Sequence, residues 1–383
     1  FEEEMSKALP SSVSGDTHYA SLWVRHGLER QLALLEVAFL LYYGRLSPSA
    51  AFLADILECG HRTQFGQRQA NASLFDADAH AKCRCIRDLL LFLAIECLNL
   101  EAALDVVPEG IAAPDDAALA PLATDPDALE RCLVQLEKAA SDVAYAPLLL
   151  SFALVLRRLD EVGSHTPLEP RLAATLDVVD HGPQIWRRLL QGAFDPSMQL
   201  FDTLHSLVTS PLLRTATRAL GASNLSALAY RAVFKGLLLT ITELVQPEYL
   251  PDLDPLVDLW CLTFRAMPGD VPDGIAALCT QFWTQDIQYP TRASLLETVR
   301  RRFPASFLPL VRLAHALSGT APDAPSPDTV TAMMNALAHV PSVALILPQR
   351  TAGLGLWETL DEAGAPSVTY RLQADMPVAH TQM

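Results

Sequence analysis

The sequence predicts an all-α protein: an irregular right-handed α-solenoid of stacked helical pairs, HEAT- or armadillo-like, with a short β element at its C-terminal end. Three observations predict it. Apolar residues recur at helical spacing from one end of the chain nearly to the other. Many of the 27 prolines fall between those periodic segments, where they stop one helix and start the next. Finally, 383 residues exceed what one compact core usually holds. The chain therefore forms two or more domains or a stack in which each helix layer covers the next. Half of its residues are hydrophobic and only 19% are charged, a balance that suits helices buried on two faces.

The first strong helix is predicted over Ser21–Tyr43, ended by Gly44. Leu28, Leu32, Leu35, Phe39 and Tyr42 make one apolar stripe on it, and Leu34, Val37 and Leu41 make a second on another face. A helix greasy on two faces is expected to be sandwiched between neighbours. Ser47-Pro48 opens the second helix, since serine supplies a capping oxygen and proline lacks only an N–H that would be unpaired anyway. Cys59 is expected to end it, with Gly60 as the left-handed cap. The cap-plus-proline opening returns at Asp125-Pro126 and at Ser210-Pro211, the latter helix closed by Gly221.

Further helices are predicted over His80–Asn99, Asp127–Ala140, Pro147–Leu159, Glu169–Asp180, Pro183–Gln191, Pro196–Val208, Asn224–Val245, Leu256–Phe264, Ile275–Asp286, Thr291–Arg302, Ala305–Leu317 and Asp328–Ala338. Leu129, Cys132, Leu133 and Leu136 show the i, i+3, i+4, i+7 pattern, as do Phe307, Leu310, Val311 and Ala314. Val107–Thr124 and Gly319–Pro327 read as surface loops. No fixed repeat period is present, so regular tetratricopeptide and ankyrin patterns are excluded. Ser342–Leu347, Leu354–Thr359 and Ser367–Gln373 are short, rich in β-branched or aromatic residues, and read as strands. The expected organisation is a helical segment over 1–340 and a β-containing tail over 341–383, the edge of an inserted β domain.

A formal net charge of −16 repels a phosphate backbone or an anionic lipid surface. The best local basic patch, Arg300-Arg301-Arg302, has no stacking aromatic beside it and reads as a solvated helix face. No nucleic-acid partner is expected. No apolar run is long enough to span a bilayer, so no membrane insertion is expected. Seven cysteines, an odd number mostly inside apolar helical patterns, predict free buried thiols in a reducing compartment. The sequons at Asn71 and Asn224 carry no weight without a signal peptide. The chain begins at Phe1, which reads as an internal piece of something longer.

No arrangement reads as an active site. Cys59, His61, His80, Cys83 and Cys85 lie near one another in sequence. However, Cys83 and Cys85 on one helix point to nearly opposite faces and cannot converge on zinc. Asp252, Asp254 and Asp258 lack the adjacent aspartates of a magnesium-binding signature and sit where a turn and a helix start are expected. Asp180-His181 reverses the His-Asp doublet of all-α metal phosphohydrolases. Gly353-Leu354-Gly355 lacks the third glycine of a dinucleotide loop. Arg157-Arg158 and Arg187-Arg188 are expected to snorkel to solvent or pair with acids. Trp23, Trp186, Trp260, Trp283 and Trp357 are expected to be core plugs. The expectation is no catalytic residue, no cofactor and no metal.

Three stretches carry a family resemblance. Leu28–Leu57 (LERQLALLEVAFLLYYGRLSPSAAFLADIL) is similar to the early apolar helix pair of the large adaptor nucleoporins of the nuclear pore inner ring. Asp286–Leu317 resembles that family's helix, Phe-Pro break and Pro-Leu-rich helix. Leu354–Tyr370 looks like the approach to the SH3-like barrel that one member inserts in its helical stack. The resemblance implies a scaffold of the inner ring at the nuclear envelope, supporting nucleocytoplasmic transport. Its implied partners are other inner-ring nucleoporins and phenylalanine-glycine segments. Two other classes compete: a transport-receptor-like adaptor that binds Phe-Gly or other peptides, and an all-α enzyme.

Overall fold

A computed structural model of the chain describes residues 1–12, 15–43, 46, 48–105, 125–139, 142–163, 184–214, 224–245, 249–250, 252–265, 272–289, 291–303, 306–319, 327–338, 343–346 and 367–370. Several expectations lie outside these: the Glu169–Asp180 helix, the stop at Gly221, the Leu354–Thr359 strand and the loop after Val107. The described residues form packed helices and one two-stranded ribbon. They divide into two compact units, Phe1–Leu259 and Trp260–Met383, whereas the sequence reading placed its change of character near 340.

In the first unit, α1 (Glu2–Ser6) is a short turn that buries Met5. Helix α2 (Thr17–Tyr42) begins before the predicted Ser21 because Asp16 caps it, accepting the N–H groups of His18 at 2.8 Å and Tyr19 at 3.3 Å. Helix α3 (Ala50–Thr63) starts after Ser49, whose hydroxyl oxygen accepts the Phe52 N–H at 3.1 Å. Helix α3 does not stop at Cys59. Gly60 lies inside it, and a Cβ there would stand 3.1 Å from the Phe65 ring. The bare glycine lets the chain fold back after Gln64, the true left-handed cap at φ 51°. Helix α4 (Ala77–Glu96) is capped by Asp76 and lies along α2, and α5 (Leu100–Asp105) follows a left-handed Asn99.

Helix α6 (Pro126–Ala139) packs on α3, and its Leu129, Cys132, Leu133 and Leu136 are all buried as their spacing predicts. Helices α7 (Ala146–Gly163) and α8 (Ile185–Ala193) pair with each other. The helix expected from Pro196 is broken at Gln199, whose φ is 45°; a 3-10 turn precedes it and α9 (Leu200–Val208) follows. Helix α10 (Asn224–Leu244) touches α4, α5 and α7. Its Tyr230 stands 4.5 Å from Phe39 of α2 and 5.5 Å from Phe92 of α4, ring centre to ring centre, so one aromatic group joins three helices.

Helix α11 (Asp254–Phe264) carries the division between the units. In the second unit, α12 (Pro272–Thr284) places Phe282 5.5 Å from Trp260 and 5.9 Å from Phe264, an all-aromatic core. Helices α13 (Ser294–Arg301), α14 (Leu308–Leu317) and α15 (Pro327–Ala338) complete the unit's helical part. Gly319 closes α14 at φ 62°, a conformation that favours glycine, and a Cβ there would stand 3.3 Å from the Ala276 backbone, a tight approach. Strands β1 (Val343–Ile346) and β2 (Ser367–Tyr370) pair antiparallel, Val343 opposite Tyr370, and fall within two of the segments read as strands.

Candidate interaction surface

Among the described residues, those singled out for chemistry do not converge on one point. Among the described residues, no three of His, Cys, Asp and Glu approach closely enough to hold a metal ion. None of the seven cysteines is in a disulfide. The Cys83 thiol donates to the Gly66 carbonyl at 3.4 Å, and burial pushes its pKa up to about 11. Burial also pushes Cys59 up to about 11 and Cys132 up to about 12, so these are unreactive thiols. His80 lies exposed, its Nδ1 2.8 Å from the Asp76 carbonyl. Asp252 accepts the Asp254 N–H at 3.0 Å, a turn that opens α11. Asp180-His181, Gly353–Gly355 and Trp357 lie outside the described residues. The sequon residue Asn71 is committed to structure. Its amide donates to the Lys7 carbonyl at 2.9 Å and accepts the Leu9 N–H at 3.2 Å.

The arginine pairs meet acids as expected: Arg157 and Arg158 pair with Glu161, and Arg188, exposed like Arg187, lies 3.7 Å from Glu137. Arg158 is buried and fully engaged. It donates to Glu161 at 3.0 Å, to Glu243 at 2.7 Å, and to the carbonyls of Ala103 and Leu104 at 3.3 and 3.4 Å. One guanidinium thus satisfies acceptors near the C-terminal end of α5 and ties α5, α7 and α10 together. Arg157 donates to Glu161 and to the Leu244 carbonyl that ends α10. Nearby, Lys235 of α10 is 0% exposed and lies 3.1 Å from Glu101. Glu101 reaches it over the bare Gly236, where a Cβ would come within 2.8 Å of its Cγ.

Two further acids belong to α4: Asp88 is buried and Glu96 is half-buried. Asp88 accepts from Arg87 at 2.7 Å and from the Ser210 hydroxyl at 2.7 Å, joining α4 to a segment far along the chain. Burial pushes its carboxyl up, opposed by Arg87 and Ser210. Burial pushes Glu96 up to about 8, with Glu101 adding to the effect. Sequence reasoning did not find Lys235, Asp88, Glu96 or Glu101. The available signal was charge at positions inside otherwise apolar helical runs.

In α13, Arg300 and Arg301 both pair with Glu297, at 2.6 and 3.1 Å, as a solvated face would. Trp186 and Trp260 are buried; the Trp186 indole donates to Asp160 at 3.1 Å beneath the guanidinium of Arg187. Trp23 is 39% exposed and is not a core plug.

Helix α2 buries Ala20, Val24, Leu28, Leu35 and Phe39. Its second stripe is not sandwiched: Leu34 is 48% exposed, Val37 59% and Leu41 48%, and Tyr19, Leu22, Trp23 and Leu40 are open beside them. Helix α14 differs likewise from its predicted pattern. Leu310 and Ala314 are buried with Leu313 and Leu317, while Phe307 and Val311 face solvent. In the second unit, Trp283, Leu296, Leu310 and Ala336 line an apolar groove of about 380 Å³, with Glu297 and Arg300 also in its wall. Among the described residues, no helix is long and apolar enough to cross a membrane. No protein-family model matches the chain, and a search of the curated proteins finds no match.

Proposed function

We propose that the chain is a non-catalytic helical scaffold, a segment of an inner-ring adaptor nucleoporin whose helical pairs stack as an irregular right-handed α-solenoid. The observation that carries this reading is the use of charge inside the first unit. Arg158 and Asp88 are engaged in joining one helix to another, and Lys235 pairs α10 with α5. Such pairs hold helices in register. Among the described residues, exposed apolar side chains such as Leu34, Val37, Phe307 and Val311 lie on outer helix faces, which suits recognition by surfaces. Together with the resemblance of Leu28–Leu57 and Asp286–Leu317, this supports placement at the nuclear envelope, with other inner-ring nucleoporins as partners. The test is a fluorescently tagged chain imaged in cells and recovered with its bound proteins. A nuclear rim signal together with co-purified inner-ring nucleoporins is expected. A diffuse signal with none of them recovered overturns the proposal.

The apolar groove of the second unit favours a second reading, a helical adaptor that takes up Phe side chains from Phe-Gly segments. Titrating a Phe-Gly peptide while following Trp283 fluorescence tests it. Saturable quenching that Leu296→Arg abolishes supports this reading, and a flat titration removes it.

A further inference from the structure

The first unit holds a small cavity of about 170 Å³ between α1, α2 and the segment that follows α3. Sites for drug-sized ligands run to roughly 300–1,000 Å³, so this one takes a single side-chain-sized group. Lys7 and Arg30 line it, and both donate to the same oxygen of Glu4, Arg30 at 2.8 Å. Glu4 is the one acid in the lining among the described residues. Two cations against one carboxylate, with His26 counted neutral, leave a local net charge of +1 in a chain of −16. Arg30 and Lys7 each spend one N–H on Glu4, and neither side chain has another partner among the described residues. Deeper in, Gln31 and Gln69 exchange amide hydrogen bonds at 3.1 and 2.7 Å. Gln31 is 2% exposed, yet the second hydrogen of its Nε2 has no partner among the described residues. Interior donors are ordinarily used.

Trp23 and Phe75 supply the aromatic part of the wall, and the Trp23 indole N–H is likewise unpartnered among the described residues. Gly27 points the same way. It sits in the interior of α2, where glycine is a poor helix former. A Cβ there would find nothing within 4 Å, so packing within the chain does not call for a glycine. The open space beside it is the cavity that it lines.

We propose that this cavity binds a carboxylate joined to a flat apolar ring, presented either as a free aryl carboxylate or as the C-terminal aromatic residue of a peptide. The carboxylate takes the unused donors of Arg30 and Lys7, and the ring lies against Trp23 and Phe75 over Gly27. Charge selects the class. A monoanion balances the local net charge, whereas a dianionic phosphate exceeds it. An amine would meet two cations and a carboxylate that both already share. The site stands whether or not the chain belongs to the nuclear pore.

The test is a titration of the full chain, labelled with fluorotryptophan, with hydrocinnamate. Fluorine NMR follows the Trp23 signal, assigned as the one lost in Trp23→Phe, and circular dichroism verifies each variant's fold. A saturable shift with Kd on the order of 0.1–1 mM is expected, and none with the neutral hydrocinnamamide. A peptide ending in a free phenylalanine carboxylate separates the two sources: tighter binding than hydrocinnamate assigns the site to chain ends, and weaker binding assigns it to free acids. Arg30→Gln weakens binding by about tenfold or more, since it removes a charge-assisted bond. Gly27→Leu abolishes binding while the Tm holds or rises, a pair of results that a merely structural glycine would not give. No shift with either acid up to about 10 mM overturns the proposal. So does equal binding of acid and amide, or unchanged affinity in either variant while it remains folded.

Discussion

Helices α10 and α2 invert the usual arrangement in opposite senses. Around α10, charge is inside: Lys235 is fully enclosed, and the buried Arg158 of α7 reaches four acceptors on three helices. Along α2, hydrocarbon is outside, from Tyr19 to Leu41. Both are long, apolar-rich helices of the same unit. The difference lies in what surrounds them. Helix α10 touches α4, α5 and α7, so even its polar positions find walls and must find partners there. Helix α2 packs chiefly on α4, and one stripe suffices for that. Polarity on a helix face therefore reports neither burial nor exposure until the number of neighbours is known.

Breaking the charged side of this comparison has the largest expected effect. Arg158→Ala removes the guanidinium that joins Glu243 and two backbone carbonyls of α5, and is expected to cost about 3–5 kcal/mol in urea unfolding of the first unit. Arg158→Lys recovers little of it, since a point charge cannot reach four separated acceptors.

The apolar side separates into two faces that respond differently. Leu28→Ala on the inner face of α2 is expected to cost about 2–5 kcal/mol. Val37→Ala on the outer face is expected to change monomer stability by less than about 0.5 kcal/mol. Equal losses at the two positions would mean that the outer stripe is covered within the monomer.

Glu96 gives the comparison a pH axis. Its folded-state pKa of about 8 lies above its ordinary 4.5, so the folded chain holds a proton that the unfolded chain has released. The stability it contributes is fully present below 4.5 and is lost as pH rises toward about 8. Glu96→Gln removes that slope. The variant is expected to match wild type near pH 4 and to unfold later than wild type at pH 9. The gap is expected to be up to a few kcal/mol, at roughly 1.4 kcal/mol per pKa unit. Thermal melts across pH measure it; parallel curves for the two proteins would place Glu96 in water.

A smaller change sharpens the packing argument. Gly236→Ala pushes a methyl into the Glu101 stem and is expected to cost about 1–2 kcal/mol. Glu101→Ala in the same chain relieves the clash, so the two losses do not add.

Much of the fold was legible because helix signals are local. Aspartates just before an apolar period, at Asp16, Asp76 and Asp125, cap the helices that follow. Only Asp125 was read as a cap in advance, which is why α2 and α4 begin earlier than expected. Gly60 was misread as a stop because a glycine's local freedom does not reveal that Phe65 will fold back onto it. The short helices α1 and α5 passed unread because a single turn or two carries no period.

The sequence by itself determined the helical class, most helix positions among the described residues, the two short strands near the C-terminal end and the buried stripe of α6. These follow from spacing within single segments, where backbone geometry alone relates residue i to i+4. The tertiary structure decided which of two stripes on α2 is covered and which phase of α14 faces inward. It also decided that Arg158, Lys235 and Asp88 lie inside. Those outcomes depend on partners far along the chain, such as Glu243 for Arg158 and Ser210 for Asp88. A periodic pattern states that a face can be buried, and only the neighbours that arrive decide which face is.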